Sequence, residues 1–155
     1  MDPLLLKMIH ILSAILLFGT GLGTAFHGMA SNLSKDVRAI AVANRNVVVA
    51  DWMFTTPTVV IQPVTGIWLA LVQGWSLTSG WIVLSLALYA LAGACWLPVV
   101  WLQLRMHRMA KEAVATSTDL PPLYHRYFRI WFTLGWPAFA AMVAIVGLMV
   151  FKPEL

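Results

Sequence analysis

Residues 4–27 read LLLKMIHILSAILLFGTGLGTAFH. At about 1.5 Å of rise per residue, this stretch is long enough to cross the roughly 30 Å hydrocarbon layer of a bilayer as one helix. His10 therefore falls inside a span. Placed at about 100° per residue, Lys7, His10, Ser13, Ala14, Gly21, Thr24 and Gly28 share one side, with Leu17 their only bulky member, while Ile11, Leu12, Ile15, Phe18 and Leu22 cover the other. A polar side chain facing lipid finds no hydrogen-bond partner, so the polar side is expected to face the interior of a helix bundle, with His10 in contact there.

The whole chain agrees with that start. Of its 155 residues 61% are hydrophobic and 10% charged, a balance that suits a polytopic membrane protein and leaves too little polar surface for a soluble domain. The net charge of +4 does not point to nucleic acid, because the basic residues stand near span ends and form no patch interleaved with aromatics. Cys95, the only cysteine, lies in an apolar run and reads as a small buried hydrophobe, which excludes an intrachain disulfide and a thiolate cluster. Asp2 and Lys7 make no basic leader and no small-residue cleavage site follows, so the first apolar run is expected to be a retained span.

Further along, residues 29–45 are more polar and are expected to form a loop with a helical turn or two. A second span follows over about 46–72 and contains Pro57 and Pro63, each of which removes an amide hydrogen and predicts a bend. A third span covers about 80–103 with Pro98 inside it, and a fourth about 130–151 with Pro137 near its start. Between them, residues 104–129 are basic, and Pro121-Pro122 marks a break after an expected interfacial helix. The expected fold is all-α, a four-helix integral membrane bundle in a single domain. Lysine and arginine concentrate in 29–45 and 104–129, which places those segments in the cytoplasm and both termini outside. The expected location is the bacterial cytoplasmic (inner) membrane.

Polar residues recur at helical spacing in two more spans. Asp51, Thr55, Thr58, Gln62, Thr65 and Gln73 share a narrow sector of the second, and Ser85, Tyr89, Trp96, Gln103 and His107 of the third. The three stripes are expected to face a common interior, where interhelical hydrogen bonding explains most of their members. Asp51 sits at a depth comparable with His27, which suits either an ion pair between them or a proton entry point. His10 is a hydrogen-bonding residue, a proton carrier or a metal ligand, and haem iron is the metal that suits an apolar bundle best. No other histidine matches its depth. Met142 on the fourth span is the candidate second axial ligand unless the iron is five-coordinate, while His27, His107 and His125 gather at the cytoplasmic end, where they suggest a separate metal or haem site.

Gly19 and Gly23 form a small-residue helix-packing surface and not a phosphate loop, since no strand precedes them. Trp52, Trp68, Trp75, Trp81, Trp101 and Trp131 fall near span ends as an interfacial belt, whereas Trp96 and Trp136 lie deeper, placed to line a flat ligand. No hydrolase triad, HExxH or Walker loop is present in the sequence.

Several motifs run through the chain: Leu6-Lys7-x-x-His10-Ile11-Leu12-Ser13, Ala50-Asp51-Trp52-x-Phe54-Thr55-x-Pro57, Gln62-Pro63-x-Thr65-Gly66, Cys95-Trp96-Leu97-Pro98 and Leu134-Gly135-Trp136-Pro137. Together they resemble a bacterial integral-membrane family known as domain of unknown function 2269, which implies a four-span fold and little chemistry. The first span alone is similar to HemJ-type protoporphyrinogen oxidases and CopD-type copper-resistance domains, which open with a Lys-x-x-His-Ile-like helix. In HemJ-type proteins that histidine is associated with haem b, which by resemblance points to His10. The chain lacks the third-span lysine of HemJ-type proteins, so the resemblance does not extend to porphyrinogen oxidation itself.

The leading expectation is a haem-b redox protein. In it His10 ligates iron, Lys7 pairs with a haem propionate or an anionic substrate, Gln62, Tyr89 and Trp96 line the cavity, and electrons pass to quinone or another membrane carrier. Two alternatives stand beside it. One is a non-redox permease or metal-handling subunit built on Asp51, Thr58, Gln62 and His10, for which four spans would require a homo-oligomer; the other is a structural or assembly protein.

Overall fold

The computed structural model describes residues 2–154. Helix α1 (Pro3–Leu33) opens with the Asp2 carboxylate accepting the Leu4 amide at 2.9 Å and Pro3 in the first turn, where its missing N–H costs nothing. Helix α2 (Val37–Ala50) starts on Asp36, which accepts the Arg38 and Ala39 amides. It runs without a break through a π-helical turn (Asp51–Thr55) into α3 (Thr56–Val72). Helices α4 (Gly80–Thr116) and α5 (Pro122–Phe151) complete the chain. Four helical stretches are long and apolar enough to cross a membrane, and among the described residues there is no strand.

The helices overrun the bilayer. The 37 residues of α4 make about 55 Å of helix against about 30 Å of hydrocarbon. Two sequence expectations are corrected by this. Residues 29–45 are not a loop: α1 continues to Leu33, α2 starts at Val37, and the connection between them is a tight turn in which Lys35 takes a left-handed φ of 58°. Nor does a separate interfacial helix follow the third span. Its residues are the extension of α4 to Thr116 and the first turns of α5, because no proline or glycine interrupts the chain between Gln103 and Thr116 and the break comes only before Pro121-Pro122.

The bundle is tied most firmly at the end carrying the α1–α2 and α4–α5 connections, the basic end. There Ile40, Leu102, Met106, Ala110, Tyr124 and Trp131 form one buried cluster contributed by α2, α4 and α5. Asn44 donates to the Tyr124 hydroxyl at 2.9 Å, joining α2 to α5. Trp131 packs on α1 at Gly28, where an added Cβ would stand 3.1 Å from the indole. Trp131 and Trp81 are thus buried, while Trp52, Trp68, Trp75 and Trp101 stay exposed as a belt requires. Trp136 is also exposed, at 62%, and so points away from the interior that it was expected to line. Toward the end carrying both termini, α1 packs on α3 and α4 on α5, and the Phe18 and Phe139 rings stack at 5.3 Å between α1 and α5.

Pro63 lies inside α3, and its missing amide hydrogen deprives the Val59 carbonyl four residues earlier of its helical donor. Tyr89 of α4 fills the gap: its hydroxyl donates to the Val59 carbonyl at 2.7 Å. Tyr89→Phe is therefore expected to cost about 1 kcal/mol, and close to nothing in a Pro63→Ala background, where the new amide reaches the same carbonyl. Equilibrium unfolding of the four proteins of this cycle in detergent checks it; equal costs in both backgrounds would contradict the pairing.

Candidate functional site

The polar residues of α1 and α3 meet in one chain of hydrogen bonds. Thr65 donates its hydroxyl hydrogen back along α3, to the carbonyls of Ile61 at 2.7 Å and Gln62 at 3.3 Å. Its oxygen is then free only to accept, so the His10 Nδ1 contact at 2.9 Å has the imidazole as donor. The hydrogen of the ring is therefore on Nδ1, and Nε2 presents a lone pair. Gln62 donates its amide nitrogen to that lone pair at 3.3 Å, and its amide oxygen accepts the Ser13 hydroxyl. Donors thus follow one direction, Ser13 to Gln62 to His10 to Thr65 to Ile61, and the last member, a backbone carbonyl, cannot be reversed. Such chains polarise one another and strengthen in a low dielectric.

The spacing that produces this is local. His10 and Ser13 are three apart on α1, and Gln62 and Thr65 three apart on α3, so each pair projects from one helix face toward the other. Gly66 lets the helices close: a Cβ on it would stand 2.9 Å from His10 Cε1. Sequence reading found His10, Ser13, Gln62 and Thr65 but gave Gly66 no task. A glycine directly after a stripe residue in an apolar span is the signal that marks such a close approach.

This seat does not fit an axial haem ligand. Iron needs the Nε2 lone pair, which Gln62 occupies, and the backbone of α3 at Gly66 lies against the ring where a macrocycle needs room. Of the other expected residues, Tyr89 bonds the Val59 carbonyl, Lys7 is exposed on α1, and Trp96 keeps its indole N–H buried with no partner among the described residues. Among the described residues no three histidine, cysteine, aspartate or glutamate side chains gather to hold a metal. His27 and His125 are exposed at the basic end.

A second polar centre lies at the π turn. Asp51, 5% exposed, accepts the Thr55 hydroxyl on Oδ1 at 2.9 Å, while its Oδ2 is buried with no hydrogen-bond partner among the described residues. The bond expected with His27 is not made, because the carboxylate turns along its own helix and toward α4. There it borders a cavity of about 10 Å³ with Trp52, Thr56 and Gln103 on the wall. None of the residues lining it is basic. π turns inside α-helices occur often at functional sites.

Gly66→Ala is expected to push the imidazole off Thr65 and Gln62 and to lower stability by about 1–3 kcal/mol. A denaturation midpoint measured in detergent reads this, and an unchanged midpoint would contradict the close approach.

No curated protein and no solved structure matches the chain. A family model described as a predicted integral membrane protein (DUF2269) matches residues 4–153, nearly the whole length, and the chain belongs to that family.

Proposed function

We propose that the protein is a non-redox membrane subunit that handles protons or small cations, with Asp51 as its working group and the basic end in the cytoplasm of a bacterium. One observation carries the reading: a buried carboxyl within a span, one oxygen of which has no hydrogen-bond partner among the described residues and whose cavity is lined by no basic side chain. An acid held within a span is costly, and such groups mark ion and proton pathways. Thr55, Thr58, Gln62 and Thr65 continue the polar face of the second span toward the other end of the bundle. The His10 chain has a positioning role here, since an amide in its middle fixes its geometry and α1 is held by it against α3.

Four spans leave little width for a path. A second copy packed on α1 at Gly19 and Gly23, where a Cβ would meet nothing within 4 Å, suits this reading. The redox reading, with haem b on His10 and quinone as electron partner, asks Gln62 to leave Nε2 and α3 to draw back.

Two measurements test the proposal. Proteoliposomes holding the full chain are expected to dissipate an imposed pH or sodium gradient, and Asp51→Asn to slow this by about tenfold or more; equal rates would overturn it. Protein purified from haem-replete cells is expected to show no Soret band. A band that His10→Ala removes would restore the haem reading in its place.

A further inference from the structure

Helices α4 and α5 leave a gap between them toward the end carrying both termini. An open groove of about 290 Å³ runs there, with Leu84 and Leu88 of α4 on one wall and Ala144, Gly147, Leu148 and Phe151 of α5 on the other. Positions 144, 147, 148 and 151 share one face of α5, and the alanine and glycine among them leave room beside α4. A Cβ built on Gly147 meets nothing within 4 Å.

A positive charge stands at the mouth of this groove. The Lys152 ammonium, on the residue after Phe151, lies 4.8 Å from the centre of the Trp75 ring and 5.8 Å from that of Trp81, and the two rings meet edge to face at 5.6 Å. Trp81 stands three residues before Leu84, at the head of the α4 wall. Trp75 is held in turn, its indole N–H donating to Gln73 Oε1 at 3.2 Å. Ring faces attract an ammonium without taking up all three of its N–H donors, and Lys152 stays exposed.

We propose that this groove is a binding site for one anionic phospholipid, with an acyl chain lying between α4 and α5 and the headgroup phosphate on Lys152. Dimensions select the chain. From Ala144 to Phe151 the groove follows α5 for about 10 Å, which gives it a cross-section of about 30 Å² and a width of about 6 Å. A helix with its side chains is about 10–12 Å wide and does not enter. A polymethylene chain does, since carbon atoms in contact stand about 4 Å apart. Charge selects the headgroup. The walls are apolar, Trp75 and Trp81 mark the mouth as headgroup level, and an ammonium there favours a phosphate that carries no ammonium of its own. The site shares no residue with the Asp51 centre.

The test is native mass spectrometry of the full chain, purified in detergent and supplied with dioleoyl phosphatidylglycerol or dioleoyl phosphatidylcholine, whose acyl chains are the same. One phosphatidylglycerol per protein is expected to stay bound, held about fivefold more tightly than phosphatidylcholine, the effect of one lysine at a lipid surface. Lys152→Gln is expected to remove that preference. Gly147→Leu puts a side chain into the groove and is expected to weaken both lipids about tenfold or more. Leucine is the better helix former and meets open space at that position, so this variant keeps the fold. No retained lipid, equal retention of the two lipids by the unaltered protein, a preference that survives Lys152→Gln, or retention unchanged in Gly147→Leu overturns the inference. A dimer that Gly147→Leu separates would also overturn it, by assigning the groove to a second copy.

Discussion

Inside a bilayer a polar group has no water to fall back on, and the second span carries Asp51, Thr55, Thr58, Gln62 and Thr65 on one face together with two prolines that strip carbonyls of their donors. Each of these liabilities has to be met by a neighbour, and the neighbours chosen determine how the helices sit. Thr58 and Thr65 return their hydroxyls to carbonyls of their own helix. Tyr89 crosses from α4 to the carbonyl that Pro63 leaves open, and His10 crosses from α1 to Thr65 and Gln62. Among the polar side chains of this face, Asp51 Oδ2 is left without a partner among the described residues.

The two ends of the bundle are held by different physics. Helices longer than the membrane carry their basic ends into a setting where water is the alternative, and there apolar burial is favourable, so Tyr124, Met106 and Trp131 pack into a cluster like that of a soluble protein. Within the hydrocarbon, lipid chains solvate leucine as well as another leucine does, and association relies on close approach and hydrogen bonds instead. Gly66 against His10 is the former and the Ser13-to-Ile61 chain the latter. Large apolar side chains such as Leu4, Ile15 and Val150 accordingly stand exposed, as lipid-facing residues should.

Much of this is legible in the sequence. The spans follow from hydropathy, and the period of the polar residues placed His10, Ser13, Gln62 and Thr65 on inward faces. Helix ends are less legible, because hydropathy falls after Gln103 and after His27 while nothing in the sequence stops the helix, so a drop in apolar content resembles a loop where the helix continues. Partners are less legible still. Pro63 announces an orphan carbonyl four residues earlier, but only the arrangement of α3 beside α4 reveals that Tyr89 supplies the donor. The same holds for His10, whose available chemistry depends on which α3 residues lie against its two nitrogens. A histidine in a span and a resemblance in the first helix suggested iron; the second span, by occupying both nitrogens, argues for a clasp.

The most direct measurement of this account is nitrogen NMR of the His10 ring in lipid, with the imidazole isotopically labelled. The hydrogen-bond chain requires a protonated Nδ1 and an Nε2 that carries only a lone pair, coupled in space to the Gln62 amide. A ring protonated on Nε2 instead, or signals shifted by a bound paramagnetic iron, would contradict it.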